Sequence, residues 1–487
     1  MSSNLLAPSV WQGKYFDGAW KDAPVTISVR EPATGEELGV AGGGTAGLAL
    51  ELAGQAAAAQ PQWAETPPEQ RAQVLRNAVR IVESHSKEIT EWIIRETGSV
   101  PGKAAFEIGL AVGELHHSAA LLTQPIGQIL PSADLDRLSL ARRVPVGVVA
   151  VITPWNAPLV LAMRSVAPAL ALGNSVVLKP DPQTPVSGGF LLARVFEEAG
   201  LPAGILSILP GGADVGEALV TAPQVRLVTF TGSTAIGRRV GELAGGALKR
   251  VSLELGGNNA MLVLDDADLD AASSAGAWGS FLHQGQICMA TSRHIVHRKV
   301  ADAYTEKLAA RAARLPVGDP FRKEVAIGPL ISAKQVKRVH EIVTDSVKCG
   351  TEVVTGGTYS ELFYRPTVLS QVGTQSPAFQ REIFGPVAPV TIADDDDHAV
   401  ALANDTTYGL AAAVQTGSLQ RGLRIARRLR AGMVHVNDQT VHDHPGIPMG
   451  GLGQSGNGTR FGSTTNLDEF TEWQWITASG EPARYPF

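Results

Sequence analysis

Cysteine is almost absent: Cys288 and Cys349 are the only two in 487 residues, which excludes a disulfide framework and suits a reducing cytoplasm. A surplus of positive charge is also missing. The 41 basic and 47 acidic residues leave a net charge of -6, with no electrostatic pull towards nucleic acid. The N-terminus has no basic region followed by an apolar core, and Pro8, Gly13 and Gly18 stand there instead, so no export signal is read. Nor is there a clean membrane-length apolar run. The uncharged stretch from Val144 to Met163 is broken by Pro145, Gly147, Pro154, Asn156 and Pro158, and reads as a buried strand and turn. Repeats and low-complexity tracts are lacking too. What remains is an ordinary globular composition, 44% hydrophobic and 18% charged, in a chain too long for one core. Two large domains with a smaller appendage are expected.

The apolar segments show how the domains are built. VGVVAVI from Val146 and SVVLKP from Ser175 flank LVLAMRSVAPALALGN, a helix ending near Gly173, and so form a βαβ unit. The alternation continues with a helix from Val186 to Ala199 and a strand from Ile205 to Leu209. A helix at Val215 to Thr221, strand VRLVTF, a helix from Thr234 and strand RVSLEL follow. This spacing predicts a parallel sheet covered on both faces. After Gly256 a second α/β series begins with strand SRHIVHRK, helix VADAYTEKLAARAARL, strand TEVVTGG, a basic helix around Leu423 to Leu429, and strand GMVHVND. RLSLARRVPVGVV and NLDEFTEWQWITAS read as extended pieces outside either core, of the kind that pair with something else, such as another subunit. The acidic run from Asp394 to Asp397 reads as a solvated turn rather than a metal site.

Two G-x-G-x-x-G matches occur, and neither has the context of a dinucleotide fingerprint. Gly42, Gly44 and Gly47 lie between a strand and a helix but lack the acidic residue that ends the next strand, so they read as a turn. Gly451, Gly453 and Gly456 follow no strand. A better phosphate site is TFTGST at residues 229 to 234, where a strand runs through Gly232-Ser233 into a helix whose free N–H groups attract anions. Lys179, ending SVVLKP, is expected at the same edge of the sheet.

A lone cysteine is usually a small buried apolar group. Cys288 differs, because His283-Gln284-Gly285-Gln286-Ile287 places it on a polar, glycine-bearing loop where a thiol can be reached. Cys349, near a helix end, has no such setting and reads as structural. Glu254 is an acid in an apolar strand that ends in two glycines. Burial would raise its pKa and suit it as a general base; otherwise it caps the following turn. Asn156 follows Thr153-Pro154-Trp155 at a strand end, where its amide either donates to an oxyanion or braces the turn.

Taken in order, TPWNAP, LKP, FTGST, LELGG and GQIC, followed by EIFGP, make the chain resemble the aldehyde dehydrogenase superfamily over nearly its full length. The resemblance implies two Rossmann-like parallel-sheet α/β domains plus a small β oligomerisation arm. It divides the chain into a dinucleotide-binding domain at 1–122 and 142–252, a catalytic domain at 253–462, and the arm at 123–141 and 463–487. Cys288 then matches a nucleophile that forms a thiohemiacetal, with its oxyanion held by Asn156 and the Cys288 N–H, and hydride departs to a nicotinamide. Glu254, 34 residues upstream, matches the base that hydrolyses the resulting thioester. Ile152, Thr153, Pro154, Trp155, Lys179, Gly212, Gly216, Ser233, Leu255 and Gln335 match cofactor positions. Glu382 and Phe384 match those holding the nicotinamide ribose and ring. A soluble cytoplasmic homodimer or homotetramer acting on a small aldehyde is implied.

One departure is informative: Pro182 stands three residues after Lys179, where many NAD-preferring members carry Glu. Proline cannot accept hydrogen bonds from the ribose hydroxyls, and without a carboxylate there a 2′-phosphate is not repelled. NAD is therefore expected first, with NADP admissible. Within the superfamily, LAMRSVAPALALGN, LKPDPQTP, SGNGTRFG and NLDEFTEWQW resemble the benzaldehyde and vanillin dehydrogenases. Ala157 leaves width for an aromatic ring, with Leu161, Ile287, Met289 and Met449 as candidate apolar walls. Arg164 either faces the tunnel or forms a salt bridge within its helix. The former would favour the rival reading, an aliphatic semialdehyde dehydrogenase with a bound distal carboxylate. A CoA-acylating enzyme would have no use for Glu254, and a catalytically silent paralogue would not need Cys288, Glu254 and Asn156 together.

Overall fold

Residues 144–163 form the end of the strand Arg137–Pro145, the strand Val148–Ile152, a turn, and the start of the helix Pro158–Ala171 in the computed structural model, which describes residues 4–487. The stretch thus goes beyond the expected strand and turn: Pro158 enters at the first helical position, where its missing N–H costs nothing. Every residue of Val148–Ile152 and of the helix is buried.

The strand Val148–Ile152 is third in a seven-stranded sheet in the order Arg250–Glu254, Val225–Thr231, Val148–Ile152, Ser175–Lys179, Leu206–Ile208, Lys14–Phe16, Trp20–Asp22. The first five are parallel, and the last two run antiparallel at the edge. Chain order reverses between Val148–Ile152 and Val225–Thr231, a switch point that opens a crevice at the C-terminal strand ends. TPWN, Gly232-Ser233 and Leu255-Gly256 all emerge there.

The second sheet runs Glu352–Thr355, Thr367–Ser370, Val387–Ala393, Thr291–His297, Asn259–Val263, Ala411–Gln415, Met433–Val436, all parallel except the first. Four of these strands, Asn259–Val263, Thr367–Ser370, Val387–Ala393 and Ala411–Gln415, were not foreseen in the sequence. They are short, or rich in alanine and interrupted by Pro389, so their β signal is weak.

The two extended segments pair with each other. Arg137–Pro145 runs antiparallel to Thr471–Ser479, with Gly127–Ile129 as a third strand. The residues just before Thr471 are helical over Thr465–Phe470, so NLDEF is not extended. Ile129, Trp473 and Trp475 are exposed on this small sheet. The acidic run is not a free turn either: Asp395 caps the helix Asp396–Asn404, while Asp394, Asp396 and Asp397 pair with Arg298, Arg421 and Arg428. Among the described residues no helix is long and apolar enough to cross a membrane.

Candidate active site

A cavity of about 380 Å³ opens where the crevice of the first sheet meets the second. Pro154, Trp155, Asn156, Leu161, Ser233, Glu254, Leu255, Cys288, Gln335, Glu382 and Phe384 line it, bringing together residues from six separate stretches of chain. Lys179, Ile152, Thr153, Gly212 and Gly216 do not line it. Gly212 precedes the helix Ala213–Thr221, and a Cβ on Gly216 would meet Lys179 Cδ at 3.7 Å. Ala157, Arg164, Ile287, Met289 and Met449 likewise do not line it.

The Cys288 loop is built from strained and crowded backbone. His283 and Gln284 take left-handed conformations, and a Cβ on Gly285 would strike the Gly385 carbonyl at 2.2 Å. Asn259, at the start of its strand, donates through Nδ2 to the carbonyls of Cys288 at 2.9 Å and Ala290 at 2.8 Å, clamping the loop. Gly257 must be glycine, because a Cβ there would lie 2.6 Å from the Cys288 carbonyl. Cys288 is only partly exposed, and burial, with the nearby Glu382 and Glu254 charges, pushes its thiol up to about 12. Cys349, by contrast, is exposed.

Asn156 is buried, and its side-chain Nδ2 donates to the Gln286 carbonyl at 2.9 Å. It therefore braces the nucleophile loop, while the second hydrogen of the amide stays available to the cavity. Its turn is fixed from below: Lys103 Nζ donates to the Asn156 carbonyl at 2.8 Å and pairs with Glu107, which accepts the Leu159 N–H at 2.8 Å. The Cys288 N–H donates to no backbone carbonyl among the described residues.

Glu254 ends its strand fully enclosed. Neither carboxylate oxygen has a well-formed hydrogen bond among the described residues, although the Gly451 amide faces it, so the turn-capping alternative does not hold. Burial raises its pKa to about 8 against the opposing pull of Arg164 and Arg460. The glycine-rich loop that follows no strand packs here. Leu255 N–H donates to the Ser455 carbonyl at 2.9 Å, and a Cβ on Gly450 would come within 2.8 Å of the Glu254 carboxylate.

The dinucleotide side carries the marks of an anion and ribose site. Ser233 caps the helix Thr234–Gly246 without a side-chain cap bond, which leaves N–H groups at the helix start. Lys179 is a buried ammonium whose only acceptor among the described residues is the Pro180 carbonyl at 3.5 Å, and burial lowers its pKa. Glu382 accepts the Gly257 N–H at 3.1 Å. A Cβ on Gly256 would overlap that carboxylate at 2.5 Å. Phe384, at a φ of 54°, turns its ring edge-on to Trp155 with centroids 5.6 Å apart, while Gln335 Nε2 holds its carbonyl at 2.7 Å. A buried cation with no carboxylate in contact among the described residues, open helix N–H groups and a carboxylate acceptor fit a dinucleotide. Asn259, Gln183, Lys334 and Arg338 were missed in the sequence. Only Asn259, an amide opening an apolar strand two residues after LELGG, left a readable sign.

The aldehyde dehydrogenase family profile matches residues 20–476. The chain is 54% identical to a vanillin dehydrogenase of an Amycolatopsis species over 99% of this chain and 100% of that protein. It is 49% identical to a benzaldehyde dehydrogenase [NAD(+)] of Pseudomonas putida over 98% of each. A solved salicylaldehyde dehydrogenase from Pseudomonas putida G7, complexed with salicylaldehyde, superimposes with a TM-score of 0.94 at 34% identity, covering 98% of this chain and 99% of that one. With the family profile spanning most of the chain and relatives 49% and 54% identical over nearly its full length, the chain belongs to the aldehyde dehydrogenase family.

Proposed function

We propose that the protein oxidises an aromatic aldehyde to its carboxylate through a thioester on Cys288, with NAD as the first hydride acceptor and NADP admissible. The carrying observation is that Cys288, Asn156 and Glu254 line one cavity with Ser233, Glu382 and Phe384. The Cys288 thiolate adds to the aldehyde carbon, and the Asn156 amide and Cys288 N–H donate to the oxygen as it gains charge. Ser233, Lys179, Glu382 and Phe384 hold the dinucleotide, which when bound supplies the hydride acceptor for oxidation to the thioester. Glu254, once ionised, takes a proton from water as that water attacks the thioester; the C–S bond breaks, the acid leaves and Cys288 returns as the thiolate, with no need for CoA.

The relatives' vanillin, benzaldehyde and salicylaldehyde names support an aromatic substrate. So does Arg164. It is paired with Glu114 and Asp443, two other segments rather than its own helix, and so is not free to hold a semialdehyde's distal carboxylate. The exposed aromatic strand Thr471–Ser479 supports assembly as a homodimer or homotetramer through the arm, with the dinucleotide and catalytic domains divided near residue 252. Initial rates for benzaldehyde, vanillin and succinic semialdehyde with NAD and with NADP test this reading. Faster turnover of the semialdehyde, or a requirement for CoA, would defeat it.

A further inference from the structure

The glycine-rich segment that follows no strand has no task in the chemistry above, although it closes over the base. Its ends are joined by Met449 and Phe461, which exchange backbone hydrogen bonds at 2.8 and 2.9 Å, and Gly456 bridges to Glu254 itself. Ser252, two residues before Glu254, donates through its hydroxyl to Thr459 at 2.9 Å. The segment therefore holds Arg460 beside the buried carboxylate. A Cβ on Gly450 would lie 2.8 Å from Arg460 Cδ and 2.8 Å from Glu254 Oε1, so the arginine stem and the base converge on one point.

Two cations bear on Glu254, Arg164 and Arg460, and their surroundings differ. Arg164 is paired with Glu114 and Asp443, and Asp443 bears on Glu254 with the opposite sign. Glu114 is raised to about 7 by burial, so the cluster is neutral while that carboxyl keeps its proton and negative once the proton is lost. Arg460 has no such partner. Its Nη1 donates to the carbonyls of Gly451 at 3.2 Å and Thr459 at 2.8 Å, and among the described residues it forms no ion pair, not even with Glu254. The other ionisable groups lining the cavity are Cys288, whose thiol is held protonated, and Glu382, Lys334 and Arg338. A cation near a buried carboxylate but out of contact lowers the cost of ionising it and leaves its lone pairs free for a proton.

We propose that Arg460 is a positioning residue for the hydrolytic base, the unpaired charge that lets Glu254 ionise while keeping it free of any ion pair. This rests on the reading of Glu254 as that base. The test follows hydrolysis directly. Enzyme acylated in a single turnover of NAD and benzaldehyde is acid-quenched at intervals, between about pH 6 and pH 10, and loss of the benzoyl group is read by intact mass. The wild-type rate should rise with pH to a plateau. Arg460→Gln keeps a donor for the loop carbonyls but removes the charge. It should move the midpoint up by about one unit, so that hydrolysis at pH 7 falls about tenfold and recovers towards pH 10. Arg460→Lys should return most of that shift, and Arg460→Met supplies the uncharged comparison should the glutamine variant not fold. A rate lowered equally at every pH with the midpoint unmoved, as a purely structural role would give, overturns the inference. So does a midpoint moved as far by lysine as by glutamine. If Glu254→Gln hydrolyses its thioester with the wild-type pH profile, the reading of Glu254 as the base fails and the proposal falls with it. An unmoved midpoint in the Arg460 variants beside a Glu254→Gln that no longer hydrolyses marks failure of the proposal alone.

Discussion

Glu254 provides a prediction that the structure makes quantitative. Its carboxyl is raised from the ordinary 4.5 to about 8 by burial. At about 1.4 kcal/mol per pKa unit, charging it in place costs on the order of 5 kcal/mol. Only the ionised form can take a proton from water, and a group with a pKa near 8 is about one-tenth ionised at pH 7. Where thioester hydrolysis limits turnover, kcat should rise about tenfold between pH 7 and pH 9 and then level off. Stopped-flow records of NADH would separate this from the earlier steps. The initial burst reports on Cys288, whose thiol lies higher, and the steady state reports on Glu254. Glu254→Gln should keep the burst and lose both the steady state and its pH dependence. The same shift has a sign in stability. The folded chain retains a proton that the unfolded chain releases, so this carboxyl costs stability progressively as pH rises from about 4.5 to about 8. Glu254→Gln should therefore raise Tm at pH 9 more than at pH 5. A kcat that is flat from pH 6 to 9, or a variant without a burst, would refute the assignment of Glu254 as the hydrolytic base.

Asn156→Ala should lower kcat by roughly 100- to 1000-fold if the amide donates to the oxyanion; a loss under about tenfold would leave it only the brace to Gln286. Lys103→Met removes the partner of buried Glu107 and the anchor of the Asn156 carbonyl, and should cost about 3–5 kcal/mol in urea unfolding; an unchanged midpoint would contradict that role. Iodoacetamide at pH 7 should alkylate exposed Cys349 before Cys288, whose thiol is held protonated by burial, as peptide mapping would reveal; the reverse order would mean that the free enzyme already carries a Cys288 thiolate.

The five parallel strands of the first domain were legible because they are continuous apolar runs, and three end in segments that line the cavity: TPWN after Val148–Ile152, Gly232-Ser233 after Val225–Thr231, and Leu255-Gly256 after Arg250–Glu254; the edge strands Lys14–Phe16 and Trp20–Asp22 are too short to carry such a signal. Glu254 and Asn156 were legible for the same reason, as polar residues at the ends of apolar strands, and Cys288 by the polar, glycine-bearing segment that leads to it. Pairings across the chain were not. Arg164 finds Glu114 and Asp443 at separations of 50 and 279 residues, which no periodicity encodes. The clamp from Asn259 to Cys288 and the left-handed turn at Phe384 likewise depend on tertiary placement. The arm strands looked unpartnered because their registry, Arg137 opposite Ser479 to Pro145 opposite Thr471, joins segments more than 300 residues apart.

The covalent intermediate is the centre of the account, and intact-protein and peptide mass spectrometry of Glu254→Gln tests it most directly. Mixed with NAD and benzaldehyde and quenched in acid after the burst, the variant should carry one benzoyl group per chain, on the Cys288 peptide. NADH release with no acyl adduct, or an adduct on Cys349 instead, would contradict the thioester mechanism.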